Sequence, residues 1–300
     1  MTLQQTSHFL PYRDGHLHVR HIVSSANRHN HDPILMLHGA MSNGKVFYSE
    51  SGKGLGCFLA KAGFDVYVMD TAGRGLSKPI IDKQYRLGQG EVIREQLPQV
   101  HQFILDKHPL NHKVHWCAHS WGGVLMASCM LRFEHLQSQV ASYLTFGTKR
   151  TIKVNSLKKW LLVDMLWNRV APLYASKAGY LDAQKLRIGM DNESKASLDQ
   201  TIDWVRGDWV DHDDGFDYSA LVSNAKWPKT WFIAAKNDRV LGNPSDVKDM
   251  LAECQLTEAK YTLLAKYKGY KRDYDHASML THPDAVNEHF IQVKQWYLSH

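Results

Sequence analysis

Five short runs are predominantly apolar without alternating apolar and polar residues: PILMLHGA (33–40), FDVYVMD (64–70), KVHWCAHS (113–120), VASYLTFG (140–147) and KTWFIAAKND (229–238). A strand wet on one face alternates apolar and polar residues. A run that does not alternate needs cover on both faces, as strands of a parallel sheet have. HLHVRHIV (16–23) does alternate and reads as an exposed edge strand, and YTLLAK (261–266) is a further candidate. Helix-like stretches separate the runs at 53–62, 88–107, 122–135, 244–253 and 283–298, the last two opening on Pro244 and Pro283 in the favoured first turn. Strand and helix in alternation predict an α/β fold: a mostly parallel central sheet flanked by helices.

The alternation stops after residue 148. From 149 to 226 no convincing strand is visible, and SLKKWLLVDMLWNRVAPLY and SKASLDQTIDWVRGDWV read as helical and rich in tryptophan. Residues 1–148 and 227–300 are therefore expected to form the core, and 149–226 an inserted helical lid over one edge of the sheet. The 300 residues are 44% hydrophobic, enough for a sizeable core, and the net charge of +6 is not gathered into a basic stripe. Nucleic acid is not an expected partner. No run approaches the ~18 apolar residues of a membrane span, and the N-terminus lacks the basic start and apolar core of a secretory signal. Cys57, Cys117, Cys129 and Cys254 fall at no metal-like spacing. They fit buried, reduced thiols in a cytoplasmic protein. Eighteen histidines form no metal-binding pattern, RHNHD (28–32) being the densest group, so no metal is expected.

One run ends on a residue with chemistry. Ser120 follows an apolar strand in AHSWGG, with Gly122 and Gly123 behind it, the composition of a tight strand-to-helix turn that lifts a serine above a sheet. A serine becomes nucleophilic at neutral pH only with a base, and that base needs an orienting carboxylate. Asp238, just past the strand KTWFIAAKND, and His276, in DYDHASMLTHPDAV, lie in the order Ser, acid, His. LMLHGAMSN (35–43) ends another strand, after which backbone N–H groups of Ala40 and Trp121 would face a developing oxyanion, with Met41 as an alternative donor. His38 is expected to brace that turn. Together with His119, Trp160, Trp167 and Trp204, it is also expected to border the substrate pocket.

The chain resembles the α/β-hydrolase superfamily over most of its length. The matching pieces are LHGA, DVYVMDTAGRGLS (65–77, similar to D-x-x-G-x-G-x-S), AHSWGG, NDRV and DHASMLTHPDAV. That resemblance implies Ser120 as nucleophile, His276 rather than His282 as base, Asp238 as its orienter, a helical lid after the sixth strand, and no cofactor. It departs from the family at Ala118, where a glycine is usual. The segment KYKGYKRDY also stretches the distance from Asp238 to His276. A serine at this position excludes relatives that use an aspartate nucleophile, namely haloalkane dehalogenases and epoxide hydrolases.

The leading expectation is a serine hydrolase that cleaves a small carboxylic ester, acyl or lipid-like, through an acyl-enzyme. The competing expectation is a serine aminopeptidase of proline-iminopeptidase type. For that reading Trp121 follows the serine, and the five aspartates of GDWVDHDDGFD (207–217) would receive a substrate amino group. A third is a fold kept as a binding scaffold. Oligomeric state is left open.

Overall fold

A computed structural model describes residues 2–26, 31–154, 165 and 167–300. Eight strands make one sheet: β1 (Leu3–Tyr12), β2 (Gly15–Ser24), β3 (Ile34–Leu37), β4 (Val66–Asp70), β5 (Val114–His119), β6 (Val140–Phe146), β9 (Lys229–Ala235) and β10 (Lys260–Leu264). Their spatial order is β1-β2-β4-β3-β5-β6-β9-β10. The β1/β2 and β2/β4 pairs are antiparallel and every other pair is parallel.

The apolar runs are explained by what covers them. In β3, Leu35 and Leu37 face one core while Ile34 and Met36 face the other, and all four are fully buried. The first core is closed by three helices, Leu97–Lys107 (α2), Trp121–Arg132 (α3) and Pro244–Glu253 (α7). The second is closed by Leu55–Lys61 (α1) and His289–Leu298 (α9). Each buried Leu, Ile or Phe stabilises the fold by about 1.5–3 kcal/mol over leaving it in water, which fixes the register of the sheet.

The edge assignment of 16–23 changes. The edge is β1, whose ten residues pair with β2 throughout, leaving β2 as the second strand with His18 and Val19 fully buried. After the short helix Glu134–Gln139 (α4) that leads into β6, the helices Ala171–Ala178 (α5) and Lys195–Arg206 (α6) lie between β6 and β9. The same region holds two strands of two residues each, Tyr180–Leu181 (β7) and Glu193–Ser194 (β8), where none was expected. This segment has its own small apolar cluster around Ala171, Ala175, Leu181, Leu198 and Ile202. Polar bonds fasten it to the strand-end loops: Asn43 Nδ2 donates to Asp191 at 2.7 Å, Met190 N to Met41 O at 2.8 Å, and Arg74 pairs with Glu193. Among the described residues no helix is long and apolar enough to cross a membrane.

Candidate active site

Ser120 stands between β5 and α3 with φ 55° and ψ −126°. A non-glycine residue held there is strained, and such strain persists only where neighbours over-determine it. They do. Its N–H donates to Phe146 O at 2.8 Å, and its carbonyl accepts from Gly123 N at 3.1 Å and Thr148 Oγ1 at 2.8 Å. The helix start also presses on the loop after β3. A β-carbon on Gly122 would lie 2.3 Å from His38 O, so any other residue there would force the helix and the loop apart.

His276 lies in the loop between β10 and the short helix Ser278–Thr281 (α8). Its Nδ1 is 2.5 Å from Asp238 Oδ2, so the stretched segment between them does bring the two together. The Asp238 side chain is 3% exposed. Burial alone would raise its pKa. The hydrogen bond and charge of His276, the Gly242 amide and Lys149 outweigh burial and hold the carboxyl below its usual range. Gly147, at φ 60°, leaves room for the imidazole, since a β-carbon there would meet the ring at 3.1 Å. His119 Nε2 donates to the backbone carbonyl of His276 at 2.9 Å, and burial drives the pKa of His119 down to about 3. His119 thus acts as a neutral strut beneath the His276 loop.

Ser120 and His276 line one pocket of about 270 Å³, bordered also by Ala40, Trp121, His119 and Trp167. Trp121 is the first residue of α3, where a backbone N–H has no partner within the helix. Met41 also lines the pocket, but its N–H donates to Glu193 Oε2 at 3.3 Å and is engaged.

Three expectations change. His38 does not border this pocket. It lines a separate cavity of about 30 Å³, donates from Nδ1 to Gly39 O at 2.9 Å and accepts at Nε2 from Thr71 N at 3.2 Å, bracing two strand-end loops. Trp204 is fully buried, donates to Val210 O at 2.7 Å and packs on Trp209 and Tyr218; the pocket side of α6 is Thr201 and Val205 instead. The aspartates of 207–217 stay away from Ser120. Asp211 is held by Arg94 and the Tyr218 hydroxyl, each at 2.9 Å, Asp213 by Arg94 at 2.5 Å, and Asp214 by Arg132. None of the five lines the pocket. Trp160 lies outside the described residues.

Sequence reasoning missed Lys149, two residues beyond the glycine that follows β6. It is 7% exposed and lines the pocket. Burial lowers its pKa to about 8, against the pull of Asp238 and Asp246. The available signal was position: TFGTKR puts a lysine just past the C-terminal end of a parallel strand, where α/β folds bind ligands. The D-x-x-G-x-G-x-S segment, by contrast, is a latch. Asp70 accepts from Gly44 N at 2.7 Å and Leu76 N at 3.0 Å and pairs with buried His18, while Ser77 Oγ donates to Asp70 O at 2.7 Å.

A family profile described as "alpha/beta hydrolase fold" matches residues 32–184. No curated protein sequence matches the chain. Among solved structures, a soluble variant of monoglyceride lipase from Saccharomyces cerevisiae is similar at TM-score 0.75 and 14% identity, covering 100% of this chain and 96% of that one. The thioesterase domain of the curacin biosynthetic pathway has TM-score 0.61 and 13% identity, covering 98% and 99%. The enol-lactonase from Burkholderia xenovorans LB400 has TM-score 0.58 and 13% identity, covering 97% and 100%. At such identities these likenesses establish the fold.

Proposed function

The chain belongs to the α/β-hydrolase family, and from that premise we propose that it hydrolyses a carboxylic ester through an acyl-enzyme on Ser120. The observation that carries this reading is the 2.5 Å contact of His276 with buried Asp238, opening on the same pocket as the strained serine. In the proposed sequence His276 takes the Ser120 hydroxyl proton at Nε2 as Oγ bonds to the acyl carbon. The backbone N–H groups of Ala40 and Trp121 receive the oxyanion. The C–O bond to the alcohol breaks, and the alcohol leaves with the proton from His276. Water, deprotonated by the same imidazole, then attacks the acyl carbon and frees the acid and Ser120. Asp238 keeps the proton of neutral His276 on Nδ1 and stabilises the imidazolium.

Ile152, Trp167, Ile188 and Leu241 give the pocket an apolar lining that suits an acyl chain. Three of these four come from residues 149–226, which supports reading that segment as a lid. The peptidase alternative loses its main support, because three of the five aspartates meant to hold an amine are bound to arginines, none of the five lines the pocket, and the pocket carries a lysine. Four buried free cysteines support a reducing, cytoplasmic setting.

The test is labelling by a fluorophosphonate, read by intact mass, beside turnover of p-nitrophenyl esters of increasing acyl length and of one aminoacyl amide. The wild-type chain should take one label and cleave the esters, and Ser120→Ala should do neither. An absence of labelling in the wild type, or labelling that survives Ser120→Ala, would sink the reading.

A further inference from the structure

Two adjacent basic residues follow β6, and their surroundings differ completely. Arg150 is fully engaged: its guanidinium donates to the carbonyls of Trp204 and Asp208, each at 2.6 Å, and forks onto Glu253. Lys149 is buried too, at 7% exposed, yet among the described residues no hydrogen bond or ion pair holds its ammonium. Its recorded neighbour is the Trp121 ring, with Nζ 5.7 Å from the centroid. Two carboxylates influence it without reaching it: Asp238, already bonded to His276, and Asp246 on α7, which accepts from Lys153 N at 3.0 Å.

A cation largely shielded from water, with no partner from the protein, is costly, and an arriving anion recovers part of that cost. Such a cation at the wall of a pocket is therefore a binding element for negative charge. The walls around it, from Ile152, Val205 and Leu241, are apolar. One ammonium with no guanidinium fork beside it matches a single carboxylate better than a phosphate dianion, which calls for several donors.

We propose that Lys149 is the anchor for a carboxylate carried by the substrate, so that the ester cleaved at Ser120 is that of a molecule with an apolar middle and an anionic end. This rests on the ester-hydrolase reading for its reaction, though not for its binding site. It also gives a physical reason for the pocket to reject a peptide's ammonium terminus, which would meet like charge.

The test separates binding from turnover. Monomethyl glutarate and its neutral counterpart methyl pentanoate are titrated calorimetrically into Ser120→Ala protein, with and without Lys149→Met. The anionic ester should bind more tightly by about tenfold or more, and the second substitution should erase that advantage. Lys149→Arg should keep most of it. Lys149→Gln stands in should the methionine variant not fold, as judged by circular dichroism. Equal affinity for the two esters in Ser120→Ala protein, or an advantage that survives loss of the lysine charge, overturns the proposal. Wild-type chain is then assayed on p-nitrophenyl pentanoate and mono-p-nitrophenyl glutarate. Turnover of neither, with the binding preference intact, would refute the hydrolase reading and leave the anion site standing. Turnover of both without preference, and with equal affinities, would do the reverse.

Discussion

Replacing Asp238 with asparagine tests the site at its most buried joint. The side chain keeps its size, so the 3% exposed position stays filled while the charge facing His276 Nδ1 at 2.5 Å disappears. In the proposed mechanism, the imidazolium that forms as His276 takes the serine proton forms against that charge. Opposite charges ~4 Å apart at an effective dielectric of about 20 attract by about 4 kcal/mol. Losing that term from the transition state lowers kcat about 10³-fold, at about 1.4 kcal/mol per decade. The amide can also donate to Nδ1 and fix the wrong tautomer, which carries the expected loss towards 10⁴-fold. Single-turnover hydrolysis of a p-nitrophenyl ester measures it directly. A drop of less than about tenfold would refute the reasoning. Stability supplies a second reading. The Asp238 carboxyl has a lower pKa folded than free, so it stabilises the fold above its unfolded value of about 3.9 and loses that contribution as pH falls through the lower folded value. The stability gap between wild type and Asp238→Asn should therefore narrow on acidification below about pH 3.9, by urea unfolding.

Gly122→Ala forces a β-carbon to within 2.3 Å of His38 O, so helix and loop must part; thermal melting should show a loss of about 1–3 kcal/mol with impaired turnover, and an unchanged melt would contradict the close approach. Trp204→Ala should cost about 3–5 kcal/mol, because it empties a fully buried site. Trp167→Ala should cost less than Trp204→Ala and act mainly on KM, because Trp167 is only half-buried and lines the pocket; equal destabilisation by the two would undo the distinction between core and pocket.

The central sheet was legible because double burial leaves a local mark. Val66 to Asp70, Val114 to His119 and Lys229 to Ala235 all sit inside apolar runs, and their exposure pattern is buried throughout but for one terminal lysine. β1 left no such mark. LQQTSHFLPY alternates half-exposed with exposed residues, and only its partnership with β2 across ten residues makes it a strand. β7 and β8 are shorter still, two residues each, and exist through their pairing with one another.

The same division runs through the site. The contact of His276 with Asp238 could be anticipated from residue type and order, because a serine nucleophile at Ser120 would need a base and a carboxylate whatever the surroundings. Position on a helix surface carries no such demand. On α6, Thr201 and Val205 share the stripe that meets the pocket, while Trp204, about 60° round the helix from Thr201, turns into the core against Trp209. A tryptophan in an amphipathic segment suits either face, so composition could not choose between them. Lys149 reverses the problem. A lysine past a strand end is by default a solvated charge, and nothing in its neighbours Thr148 and Arg150 says otherwise. Its meaning comes from its surroundings in the fold, where the Trp121 ring of α3 lies beside its ammonium, Asp246 of α7 and Asp238 influence it, and the residue lines the cavity that holds the serine while only 7% exposed.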